Sequence, residues 1–67
     1  MPIVHVYVWE GFSKDAKKRT ISGITKVFAE MGIPSEAIEI VIHEVSKDNW
    51  GAGGKQASEK LKDVVPP

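Results

Sequence analysis

Two strand-forming runs flank a single helical stretch, and that order constrains the fold more than any other feature. Residues 3–9 read IVHVYVW, β-branched and aromatic with His5 as the one clearly polar interruption. Such a run suits a strand covered on much of both faces. Residues 38–45 read IEIVIHEV. There Ile38, Ile40 and Ile42 point one way, and Glu39, Val41, His43 and Val45 the other. Between the runs, Ile21, Ile24, Val27, Phe28 and Met31 recur every three or four residues, the apolar stripe of an amphipathic helix. Strand, helix, strand predicts an α/β (α+β) chain with two parallel main strands joined by a right-handed crossover through one long helix.

The punctuation agrees. Glu10-Gly11 breaks the first run, Ser13 is a good N-cap, and Asp15 falls where the helix dipole favours negative charge. Gly32 suits a left-handed helix terminus, and Pro34 stops the helix. The basic run Lys14, Lys17, Lys18, Arg19 and Lys26 falls mostly off the stripe and reads as a solvated face. Further on, WGAGG at 50–54 predicts a tight hairpin whose glycines supply positive φ. Its glycines do not make a phosphate cradle. A Walker loop ending at Lys55 would need glycine at Asn49 and Ser or Thr at Gln56. Residues 56–62 suit one or two helical turns. Val64-Val65-Pro66-Pro67 is an extended tail, loose or laid against a neighbour.

Sixty-seven residues make one domain spanning 1–67, and no cysteine is present to staple it. A two-stranded sheet covered by one helix leaves its other face bare, and isolated two-stranded sheets are marginal. Another copy of the chain is the economical cover. Nine basic and nine acidic side chains cancel, which argues against a nucleic-acid footprint or a polybasic membrane anchor. No run approaches the ~20 apolar residues of a spanning helix and no signal peptide is visible, so a cytoplasmic protein is expected. His5 and His43 can meet on the parallel pair, but two histidines without a third placed ligand make structural roles the better reading and no metal site is expected.

Pro2 stands directly behind Met1 and ahead of the first strand. Proline is tolerated at the first position of a strand. It also carries a chemical option: if Met1 is removed, its nitrogen becomes a secondary amine. The start MPI followed by a strand, Glu10-Gly11, the segment IPSEAIEIVIHEV and the hairpin WGAGG together resemble the 4-oxalocrotonate tautomerase family over essentially the whole chain.

That resemblance implies a βαβ protomer with a C-terminal hairpin, assembling into dimers and then a hexamer (a trimer of dimers). It implies cofactor-independent keto–enol or allylic isomerisation of a small unsaturated 2-oxo or 2-hydroxy acid, with Pro2 as general base. Trp50 stands where the family has an aromatic residue, and the chain near Trp9 borders the family's pocket. The family's two substrate-binding arginines fall at Phe12 and Glu39. Phenylalanine cannot bind an anion and glutamate repels one. The resemblance thus points to a less anionic substrate, low promiscuous activity, or a repositioned cation, with Lys14, Lys17 and Lys47 as candidates. A non-catalytic oligomeric scaffold on the same fold is the alternative.

Overall fold

A computed structural model describes all residues, 1–67. Strand β1 (Ile3–Trp9) leads through a short turn to helix α1 (Lys14–Ala29), and strand β2 (Glu39–Val45) returns parallel to β1. A two-residue strand β3 (Gly51–Ala52) and its antiparallel mate β4 (Lys55–Gln56) form the hairpin, followed by a one-turn helix α2 (Ala57–Lys60). Helix, parallel pair and hairpin fall where the sequence puts them. The second strand begins at Glu39, one residue later than expected, because Ile38 closes a 3-10 turn over Ser35–Ala37 and is itself buried.

The local causes are visible. Ser13 has an extended backbone, and its Oγ accepts from the Ala16 N–H at 3.0 Å, satisfying one orphan donor of α1. Gly53 and Gly54 take φ +62° and +79°, the left-handed values a tight hairpin demands. That turn seats Ala57 beneath Trp50, whose carbonyl accepts from the Ala57 N–H at 2.7 Å. Ala57 is 1% exposed, so a larger side chain has no room there.

In the sheet, Ile3 pairs with Glu39, His5 with Val41, Tyr7 with His43 and Trp9 with Val45. These odd-numbered residues share one face. The alternate residues Val4, Val6, Val8, Ile40 and Ile42 are half-buried and face α1, and Glu44 on that side forms an ion pair with Lys17 of the helix. The helix therefore covers one face only. Strand β1 is not covered on both sides within the protomer: Ile3 and Tyr7 are 57% and 59% exposed. The helical stripe is split in the same way. Ile24 and Phe28 pack inward, whereas Ile21, Val27 and Met31 remain exposed.

Only Ile38 and Ala57 are buried. The chain measures 43 × 23 × 14 Å, a slab one helix and one sheet thick. Its radius of gyration is 14.5 Å, where a compact chain of this length has about 11 Å. Its accessible surface is 4930 Å², where a compact monomer of this mass exposes about 4,200 Å². No helix is long and apolar enough to cross a membrane.

Candidate active site

The residues singled out in the sequence separate into two groups. Pro2 and Glu39 lie together at the start of the sheet, where the Glu39 N–H donates to the Pro2 carbonyl at 3.0 Å. This bond continues the β1–β2 ladder by one rung and fixes the proline at the sheet's end. With Met1 attached, the Pro2 nitrogen is an amide, and the Met1 ammonium donates to the Ala37 carbonyl at 2.6 Å.

Trp9, Phe12 and Trp50 lie at the far end. A seven-residue strand separates Pro2 from them, roughly 20 Å at ordinary strand rise. Trp9 and Trp50 meet edge to face, with centroids 5.8 Å apart. The Lys47 ammonium sits 4.8 Å from the centroid of the Trp9 ring. The indole Nε1 of Trp9 is buried without a hydrogen-bond acceptor.

Lys47 also donates to the Leu61 carbonyl at 2.7 Å and to the Val64 carbonyl. These bonds pull the C-terminal tail back over its own chain. Pro66 packs near Gly11, whose φ is +99°, and the Pro67 carbonyl accepts from the Ser13 N–H at 2.8 Å. The tail is thus not loose; it crosses the β1–α1 turn beside Phe12. The result is a cleft of about 370 Å³ lined by Phe12, Ala16, Arg19, Thr20 and Pro67. Sequence reading missed Arg19 here, because it lies on a helix face that looks merely solvated.

On the open sheet face, His5 Nδ1 and His43 Nε2 are 2.8 Å apart, and Tyr7 stacks on His43 with centroids 4.5 Å apart. The histidines do meet, as the parallel pairing allows. No group of three His, Cys, Asp or Glu side chains is placed to hold a metal ion.

Residues 2–60 match the family model described as "Tautomerase enzyme". The chain belongs to the tautomerase family. This tautomerase is 40% identical over 60 residues to a 2-hydroxymuconate tautomerase of Comamonas testosteroni, covering 88% of this chain and 95% of that one. A structure of the 4-oxalocrotonate tautomerase isozymes from Methylibium petroleiphilum superposes with a TM-score of 0.80 at 36% identity, over 85% of this chain and 94% of that one. TomN, a 4-oxalocrotonate tautomerase homologue in the tomaymycin biosynthetic pathway, superposes with a TM-score of 0.85 at 26% identity, over 91% of this chain and 95% of that one. The tautomerase is thus an isomerase built on the βαβ-plus-hairpin fold of 4-oxalocrotonate tautomerases.

Proposed function

We propose that this tautomerase interconverts the enol and keto forms of a small unsaturated 2-hydroxy or 2-oxo acid, with Pro2 as general base once Met1 is removed. The amine takes the 2-hydroxyl proton. The oxygen electron pair closes the carbonyl, the double bonds shift along the chain, and a conjugated carbon takes the proton back from the prolinium. No external electron or proton is consumed. A general base works best with a pKa near the operating pH. Burial in an apolar site disfavours the ammonium form and so moves an amine towards that range. Proline adds a rigid ring that holds its lone pair in one direction.

The observation that carries this reading is the position of Pro2. Its carbonyl is pinned by Glu39 at the end of β1, so removal of Met1 would leave the proline nitrogen free at that end of the sheet. The aromatic and cationic groups suited to holding a conjugated acid lie at the opposite end of the same sheet. A substrate less than half that length cannot touch both ends of one protomer. The working site therefore joins the Pro2 end of one copy to the Trp50 end of another, and the open sheet face is covered in the assembly. A hexamer built as a trimer of dimers fits this requirement, as does any arrangement that brings unlike ends together.

The test combines intact mass with kinetics on 2-hydroxymuconate, which carries two carboxylates, and on phenylenolpyruvate, which carries one. Removal of Met1 and a loss of at least tenfold in kcat/KM for Pro2→Ala on both substrates are expected. A natural protein that retains Met1, or a Pro2→Ala variant with unchanged activity, overturns the role of Pro2.

A further inference from the structure

We propose that Arg19 holds the substrate carboxylate remote from the reacting carbon, contributing this grip from a copy other than the one that supplies Pro2. The inference rests on the reading of Pro2 as base and deepens it by naming how a dicarboxylate is held where position 12 is phenylalanine.

The cations expected to stand in are accounted for elsewhere. Lys17 is paired with Glu44, the one ion pair in the chain. Lys47 is held by two tail carbonyls and by the Trp9 ring. Lys14 occupies the exposed first turn of α1 and does not line the cleft. Arg19 is the only arginine of the chain. Its guanidinium has no ion-pair partner, and it is the single charged side chain among the five that line the cleft.

The chemistry of that cleft suits one end of a conjugated diacid. Phe12 and Pro67 offer apolar walls for the hydrocarbon, and the planar guanidinium offers the paired donors that match a carboxylate. None of Phe12, Ala16, Arg19, Thr20 or Pro67 is a competent base near neutral pH. The cleft therefore binds the end of the substrate that does not react, and the reacting end reaches the proline of the neighbouring copy. The cleft is shallow and largely open to solvent, so on its own it seats one end of a short acid and does not enclose a whole ligand. The Thr20 hydroxyl is already committed to the Ala16 carbonyl at 2.8 Å, so it adds no competing donor.

The experiment compares kcat/KM on 2-hydroxymuconate with kcat/KM on phenylenolpyruvate for the wild type, Arg19→Ala, Arg19→Lys and Pro2→Ala. The ratio of diacid to monoacid efficiency is expected to fall on the order of 10- to 100-fold in Arg19→Ala, the usual worth of a hydrogen-bonded charge. Arg19→Lys recovers part of it. A general loss of folding lowers both efficiencies together and leaves the ratio alone, so the ratio reads the carboxylate grip itself. A ratio within threefold of wild type in Arg19→Ala overturns the assignment. The two readings fail separately. An unaffected Pro2→Ala removes the base and not the grip, whereas an inactive Pro2→Ala beside an unchanged Arg19→Ala ratio removes the grip and not the base.

Discussion

Val41→Asp tests whether the open sheet face is the inside of an assembly and whether the site is divided between copies. Val41 is 40% exposed and lies opposite His5, between the ends of a face that also carries Ile3 and Tyr7. Burying each of these three side chains is worth about 1.5–3 kcal/mol at most. Since they are already partly covered, about half of that remains to be gained, or roughly 2–4 kcal/mol per copy from the three together. Aspartate at 41 forfeits the valine share and adds an unpaired carboxylate to a closing interface, at a cost of about 3–5 kcal/mol. The penalty matches or exceeds the gain, so Val41→Asp should run as a smaller species. Light scattering after size exclusion measures this directly. The wild-type melting temperature should rise with protein concentration, as mass action requires, and the variant's should not. In the proposed working site Pro2 and the Trp50 end sit on different copies, so activity should be lost together with assembly. A Val41→Asp protein that is monomeric and fully active would refute the divided site. One that keeps the wild-type size would refute the covered face.

Two further predictions concern the ends of the sheet. Glu39→Gln removes the carboxylate of the residue whose backbone N–H is bonded to the Pro2 carbonyl. A nearby negative charge favours an amine's ammonium form and raises its pKa, and it also repels an anionic substrate. Both effects act in the same sense, so kcat/KM on 2-hydroxymuconate should rise several-fold and the acidic limb of the pH–rate profile, where the proline gains its proton, should move to lower pH; a fall in activity would contradict this. Lys47→Met keeps the aliphatic stem but removes the ammonium that binds the Leu61 and Val64 carbonyls. Amide exchange in residues 61–65 should quicken by on the order of tenfold, and the KM for the diacid should rise because Pro67 no longer walls the cleft.

The elements were legible because their causes are local. Alternating β-branched residues, the Ser13 cap and the paired glycines at 53 and 54 each act within a few residues of themselves. The meeting of His5 and His43 followed from parallel pairing alone. What sequence could not supply was which of the apolar residues the protomer itself covers. Periodicity marks Ile21, Ile24, Val27 and Phe28 as apolar, yet only Ile24 and Phe28 meet the protomer's own sheet. The cleft depends on Lys47 catching two carbonyls far along the chain and on Pro67 reaching Ser13. No spacing rule encodes such a return, and so Arg19 read as one more solvated charge.

The near absence of buried residues within the protomer has a genetic consequence. When a fold draws its interior from identical neighbours, a substitution on the open face is never a single event. It enters the complex once for every subunit, at contacts related by symmetry. A change of a few tenths of a kcal/mol per copy, neutral in a self-contained domain, would be summed over every copy of such an assembly. Mixed complexes formed from two alleles would grade smoothly between the parental stabilities. The face carrying Ile3, His5, Tyr7, Val41 and His43 should accordingly tolerate less drift than its exposure in one chain implies.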